Sequence, residues 1–385
     1  MDERRQDGSL AEVAVYFLRL GLTAFGGPAA HIAMMEEEVV RRRRWLSREE
    51  FLDMLGATNL IPGPNSTEMA IHIGLFRAGR PGLLSAGACF IFPAAAVTLA
   101  FAWAYVRYGA LSQAQAVLYG IKPVIIAVVA QALWGLTRTA VKNKFLAALT
   151  LAATAASFLG VNQLIVLFGG GILAVLARES SRAGGGRLLT AAAPGLAVPT
   201  AGAGIAGGVA FGLLPLFLFF LKAGAVLFGS GYVLLAFLQS SLVDRWHWLT
   251  QSQLLDAVAV GQFTPGPVFT TATFIGYLLG GMPGAVVATV GIFLPSFLFV
   301  AVSGPLIPRL RSSPDAGAFL DGVNAASLAL MLVVAVLLGK SALIDAPTRL
   351  LAAVSALLLI RWRVNSAWLV LGGGTLGLIL KSFGG

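Results

Sequence analysis

The chain has 385 residues, 57% of them hydrophobic and only 11% charged, with a net charge of +10. So few charges cannot cover a water-facing surface, because soluble domains carry about 25% charged residues. Apolar stretches long enough to cross about 30 Å of hydrocarbon recur instead, and they do not alternate as barrel strands do.

The basic excess lies in short clusters between the apolar stretches: Arg41 to Arg44, then Arg138, Lys142 and Lys144, then Arg178, Arg182 and Arg187. This is the pattern of cytoplasmic loops, not of a nucleic-acid surface, and no nucleic-acid partner is expected. One cysteine, Cys89, excludes an intrachain disulfide framework. The sequence holds no P-loop, no dinucleotide fingerprint and no Cys/His metal spacing, so neither a cofactor nor an enzyme is expected.

The N-terminus leads into the first apolar segment without a small-residue cleavage site and is not read as a removed leader. The first half gives six segments, near 12–34, 50–76, 82–106, 113–137, 145–160 and 162–177. The last two are short and are expected to form a tight hairpin. Arg19 lies within the first segment, seven residues before Gly26. A buried guanidinium there would offer forked donors to a tetrahedral oxyanion, and snorkelling to the interface is the alternative. The run Phe25-Gly26-Gly27-Pro28 interrupts the same segment, either as a broken helix or as a close-packing point. His31 and Glu36 to Glu38 read as an interfacial loop.

Ser47 with Glu50 fits a capping box and Leu46 with Phe51 a hydrophobic staple, so a helix is predicted to begin near Arg48, with Asp53 as interfacial polarity. About 15 residues into it, roughly 22 Å along the axis, comes Pro62-Gly63-Pro64. Two prolines around a glycine remove backbone donors and break a helix. In lipid such a break is tolerated around a cavity, and a half-helix N-terminus turns its N–H groups toward an anion. Asn65, Ser66, Thr67 and Glu68 follow the break, and Glu68 and His72 share a face at i, i+4. That pair is either a proton relay or a structural polar contact. Lys122, beside Pro123, is a weaker buried candidate.

A Gly/Ala/Pro-rich stretch follows, and then the chain repeats. Phe17, Gly21, Phe25 and Gly26 recur 203 positions on as Phe220, Gly224, Phe228 and Gly229, with Arg19 matched by Lys222. Trp45-Leu46 recurs as Trp248-Leu249, Asp53 as Asp256 and Pro62-Gly63-Pro64 as Pro265-Gly266-Pro267. After one deletion, Gly74, Pro81, Gly82 and Pro93 match Gly276, Pro283, Gly284 and Pro295. Thr250 with Gln253 repeats the capping box, placing a second helix start near Gln251. The second-half segments run near 211–235, 253–279, 284–305, 316–339, 345–360 and 364–380.

The expected fold is an all-α polytopic membrane protein of two homologous halves, 1–180 and 211–385, joined by a linker over 181–210. Arg309, Arg311, Arg361 and Arg363 occupy loops whose first-half equivalents are poorly charged, which favours an inverted repeat with broken or re-entrant helices. Inversion needs an odd number of crossings per half. Either one segment is re-entrant or the linker crosses.

The Phe25-Gly26-Gly27-Pro28 run, the Trp45-Leu46 pair, Pro62-Gly63-Pro64 and their second copies resemble the chromate ion transporter family, in its long, two-domain form. The resemblance covers nearly the whole chain. It implies a bacterial inner-membrane protein that exports chromate and confers resistance to it, in exchange with sulfate or driven by the proton gradient, with halves of opposite orientation. Gly27/Ser230 and Glu68/Thr271 depart from strict two-fold matching.

The paired breaks are expected to meet and bind the oxyanion by alternating access. Gly26, Gly27, Gly63, Asn65, Ser66, Thr67, Gly229, Ser230, Thr264, Gly266, Thr270 and Thr271 would line the site. Arg19 and Lys222 would add charge, and Glu68 and His72 would couple protons. Chromate or sulfate is the expected cargo and the lipid bilayer the surroundings. A homodimer is left open. A transporter for another oxyanion and a passive anion channel are the alternatives.

Overall fold

A computed structural model describes residues 9–25, 27–182, 209–227, 233–303, 313–362 and 364–383. The predicted linker lies almost wholly outside them, as do Gly26, Gly229 and Ser230.

The first half comprises α1 (Leu10–Thr23), α2 (Gly27–Met35) running into a π-helical turn (Glu36–Arg42), α3 (Arg48–Thr58), α4 (Asn65–Tyr108), α5 (Ser112–Ala140), α6 (Lys144–Phe158) and α7 (Gln163–Arg182). The second comprises α8 (Leu213–Val226), α9 (Val233–Leu238) with its own π-helical turn (Gln239–Arg245), and α10 (Gln251–Phe263). A 3-10 turn (Val268–Thr270) then leads into α11 (Thr271–Ser303), followed by α12 (Pro314–Ala342), α13 (Ala346–Arg361) and α14 (Ser366–Phe383). No strand occurs among the described residues.

Among the described residues, five helical stretches are long and apolar enough to cross a membrane: Asn65–Tyr108, Ser112–Ala140, Gln163–Ser181, Val268–Ser303 and Pro314–Ala342. The outer surface carries Phe92, Leu151, Val302 and Trp368, each more than two-thirds exposed, as a lipid-facing surface does.

Both capping boxes form. The Ser47 hydroxyl accepts from the Glu50 amide while Glu50 accepts from the Ser47 amide, and Thr250 and Gln253 repeat the exchange. The helices start at Arg48 and Gln251, where the sequence places them.

The part of the second apolar segment that follows the Pro-Gly-Pro break and the third segment belong, in each half, to one sharply bent element. In α4 the helix is interrupted at Ala78 (φ −140°) and Gly79 (φ 63°), and in α11 at Gly280 (φ −140°) and Gly281 (φ 59°). Eight residues of straight helix span about 12 Å. Yet a Cβ on Gly74 would overlap the Gly82 carbonyl, and one on Gly276 the Gly284 carbonyl. Each element therefore folds back into two legs, and only glycine permits backbones this close.

The last helices do not form the expected self-contained hairpins. They cross to the other half, α7 packing mainly on α12 and α14 on α5. Small residues make the crossings: a Cβ on Gly120 would meet the backbone of Gly373 and Gly377, and one on Gly322 that of Gly170. At the centre, α1 lies on α4, α8 lies on α11, and α4 lies on α11.

Candidate functional site

Both Pro-Gly-Pro loops meet the C-terminal ends of the helices that precede the first break, α1 and α8. Gly63, with φ 144°, donates its amide to the Leu227 carbonyl at the end of α8 (2.6 Å). Gly266, with φ 84°, donates its amide to the Ala24 carbonyl at the end of α1 (2.8 Å). Ala24 and Leu227 are 203 positions apart, and so are Gly63 and Gly266. Each half thus closes its Pro-Gly-Pro loop onto the first break of the other half, using a carbonyl its own helix leaves open.

Past the first Pro-Gly-Pro, α4 starts without a side-chain cap. The Asn65 and Ser66 amides find no acceptor among the described residues, whereas the Thr67 and Glu68 amides return to the Pro64 carbonyl (2.8 and 3.0 Å). Asn65 Nδ2 donates to Asn59 Oδ1 across the break (2.6 Å). Ser66, Thr67 and Glu68 are buried. Helical side chains lean toward the N-terminus, so the Glu68 carboxylate reaches back over the Gly63 loop. A Cβ on Gly63 would overlap that carboxylate and stand 2.9 Å from the Ser296 hydroxyl of the other half. Among the described residues, Thr67 Oγ1 and His72 Nε2 have no hydrogen-bond partner, and the Glu68 carboxylate and the Ser296 hydroxyl face only each other. Buried polar atoms left unpaired in a protein interior are costly, and their clustering at a helix N-terminus marks a place for a polar guest.

The second-half break is more fully paired. The Thr98 hydroxyl lies 3.3 Å from that of Thr264 and 3.2 Å from that of Thr270, and Thr270 also donates to the Pro267 carbonyl (2.9 Å). The Thr271 hydroxyl donates to Val268 O at 2.8 Å.

Gly63, Asn65, Ser66, Thr67, Glu68, Thr264, Gly266, Thr270 and Thr271 are therefore gathered at or beside the breaks. His72 lies one turn past Glu68 on α4. Gly27 opens α2 with φ 77°. Arg19 and Lys222 are exposed on the outer faces of α1 and α8. Phe17 and Leu20 occupy the buried side of α1, and Phe220 and Ala223 that of α8, which turns the two cations away from the centre. Arg19 instead borders a cavity with Glu37, Glu38, Arg42 and Arg43.

Several residues at or near the breaks carry no strong local sequence mark. His31 does not sit in an interfacial loop. It is fully buried, with Nε2 3.1 Å from the Ala24 carbonyl and Nδ1 3.3 Å from the Ser66 hydroxyl, and its ring meets Phe90 edge-on. Its position one turn into the helix after Gly27 was the available signal. Thr98 and Ser296 are hydroxyls just past the matched prolines Pro93 and Pro295. Asp256 is not interfacial polarity either: it is buried, pairs with Lys122 (3.2 Å) and accepts from the Tyr105 hydroxyl (2.9 Å). Lys122 also donates to Ser252 (2.7 Å). Asp53, its first-half counterpart, is exposed.

This architecture defines a multi-pass, all-helical membrane protein whose two repeats meet at paired helix breaks. The chain belongs to the chromate transporter family, whose profile matches residues 11–175 and again 214–378. It is 35% identical to a chromate transport protein of Cupriavidus metallidurans over 96% of this chain and 93% of that protein. It is 33% identical to a probable chromate transport protein of Synechococcus elongatus over 93% and 91%. A chromate transport protein of Pseudomonas aeruginosa is 32% identical, over 84% and 79%. No solved structure matches.

Proposed function

We propose that this chain is a secondary transporter that exports chromate across a bacterial inner membrane and thereby confers chromate resistance. The observation that carries the reading is the group of buried polar side chains at the α4 N-terminus, Thr67 with its hydroxyl unpartnered and Glu68 with Ser296 facing only each other, beside the open Asn65 and Ser66 amides. A tetrahedral oxyanion needs several donors converging from different directions, and a helix N-terminus with flanking hydroxyls provides them. The curated relatives named for chromate transport support the choice of cargo. Sulfate has the same shape and charge and is expected to compete.

Glu68 sets the coupling. A carboxylate and an oxyanion side by side repel by about 4 kcal/mol for unit charges 4 Å apart at an effective dielectric of about 20. The anion therefore binds with Glu68 protonated, and proton and anion occupy the site together. His72, one turn on, is placed to relay that proton. A dianion that leaves with one proton carries a net charge of −1, so its export is favoured by an inside-negative potential by about 2.3 kcal/mol at 100 mV.

The crossed pairs Gly63–Leu227 and Gly266–Ala24 support a two-fold relation between the halves, as an inverted repeat requires. Alternating access then moves one repeat against the other about those contacts. The test is accumulation of labelled chromate in proteoliposomes under an imposed potential, with sulfate as competitor. Saturable, sulfate-sensitive flux supports the reading. Unsaturable currents would make the protein a channel, and folded protein that moves neither anion would remove the proposal.

A further inference from the structure

Among the described residues no cation touches the proposed site, because Arg19 and Lys222 face outward and Lys122 is held by Asp256. Resting on the reading above, we infer that His31 supplies that charge. It acts as a proton-operated positioning residue that turns the Ser66 hydroxyl toward the anion.

The hydrogen-bond partners fix the chemistry. The Ala24 carbonyl can only accept, so the ring nitrogen 3.1 Å away, Nε2, carries a proton. In neutral His31 the other nitrogen, Nδ1, then bears a lone pair. Ser66, 3.3 Å away, must donate its hydroxyl hydrogen to it. In that state the Ser66 hydroxyl offers no hydrogen to a guest at the α4 N-terminus, and only the Ser66 amide does. Uptake at Nδ1 of one proton from hydronium, which leaves as water, reverses the bond. Nδ1–H now donates to Ser66 Oγ, and the Ser66 hydroxyl hydrogen is released to point at the anion. No bond other than N–H is made, and the site gains one positive charge and one donor together.

The surroundings leave this switch to the anion. Of the groups packed against α2, the end of α1 presents only the Ala24 carbonyl, which also holds the Gly266 amide, and α4 presents Ser66 and the Phe90 ring. Glu68 and His72 lie further along the same leg of α4. In the adjoining π-helical turn Glu36 pairs with Arg48, Glu37 with Arg41 and Arg42, and Glu38 with Arg42 and Arg43. Among the described residues no charged side chain forms an ion pair with His31. The repeat also has Leu234 where His31 stands, so the device is confined to one half.

The chain has three histidines, which makes the ring states readable directly. The experiment is solid-state nitrogen NMR of the full-length protein, labelled with 15N-histidine and reconstituted in lipid at one fixed pH. Spectra are taken without anion, with chromate and with sulfate, and bound anion is measured on the same samples. His31→Gln identifies the His31 signals and keeps a donor to Ala24. Expected is a neutral Nε2–H ring without anion and a doubly protonated ring when the site is filled. Ser66→Ala is expected to weaken anion binding about tenfold, the worth of one donor, while leaving the anion-free tautomer unchanged. An Nδ1–H tautomer overturns the inference, as does bound anion with an unchanged His31 ring. Absence of any chromate or sulfate binding by folded protein overturns the proposed function, and this inference falls with it.

Discussion

The Gly63 amide donates to the Leu227 carbonyl, joining the second break of one half to the first break of the other. The Gly266 amide does the same toward Ala24. Both glycines have positive φ, where a Cβ costs about 1–2 kcal/mol. The neighbours differ. A Cβ on Gly63 meets the end of the Glu68 side chain, which can swing away, whereas one on Gly266 stands 2.5 Å from Ala94 Cβ on packed helix. Gly266→Ala is therefore expected to lower the melting temperature more than Gly63→Ala. Adding Ala94→Gly should restore part of the loss at Gly266 and none at Gly63. Gly63→Ala should instead damage transport, because it displaces Glu68. Thermal unfolding in detergent and proteoliposome flux separate the two effects, and equal losses in both assays would contradict the asymmetry.

Glu68→Gln is a neutral copy of the protonated acid. It should lose less anion affinity on going from low to high pH than the natural chain does. The sign follows from co-binding: with Glu68 present, affinity falls as pH rises and the carboxylate ionises, by at most about tenfold per pH unit for one linked proton. In Glu68→Gln the slope should shrink to whatever His31 contributes, and in Glu68→Gln/His31→Gln it should vanish. Sulfate is the probe for the pH series, since it keeps one charge state throughout. A slope unchanged by Glu68→Gln would remove Glu68 from the coupling.

The exposed cations give a contrasting outcome. Phe17 and Leu20 set the buried phase of α1, and Arg19 lies outside it. Arg19→Gln and Lys222→Gln are each expected to change chromate affinity less than twofold, against about tenfold for Ser66→Ala. Titration of binding checks this. A tenfold loss in Arg19→Gln would mean that the side chain reaches the anion in another state of the transport cycle.

The sequence disclosed what rests on local rules. Capping boxes at Ser47 and Thr250 and breaks at Gly63 and Gly266 follow from side-chain and proline chemistry within a few residues. Their repetition in one register showed the two halves. The fold-back at Ala78 to Gly79 was signalled only as a gap between two apolar segments, because a hairpin and a connecting loop have the same hydropathy. Long-range partners stayed hidden. Nothing local to His31 says that its ring reaches Ala24 and Ser66, since its apolar neighbours fit an interfacial position equally well. Distance along the axis sets Arg19 near Gly26, whereas helical phase turns it outward. For Asp256, the exposed twin Asp53 shows that one helix-start motif can lie at the surface in one half and be buried against a lysine in the other.

The Lys122–Asp256 pair joins α5 of the first half to α10 of the second, and its two ends are unequally buried, with side chains 20% and 3% exposed. Removing one partner of a buried pair strands the other charge, at a cost of about 3–5 kcal/mol, whereas replacing both can be nearly neutral. Lys122→Met leaves the Asp256 carboxylate with only the Tyr105 hydroxyl to stabilise it, so it should be the more damaging change. Asp256→Asn leaves a lysine that keeps Ser252 and can extend its ammonium toward water, so its cost should be smaller. Lys122→Met/Asp256→Asn should melt closer to the natural chain than Lys122→Met alone. Raising the pH should deepen the Lys122→Met defect, because a stranded carboxylate is tolerated only while it holds its proton. Melting curves of the three variants at two pH values decide the matter, and a Lys122→Met protein as stable as the natural chain at both would show that the pair does not hold the halves together.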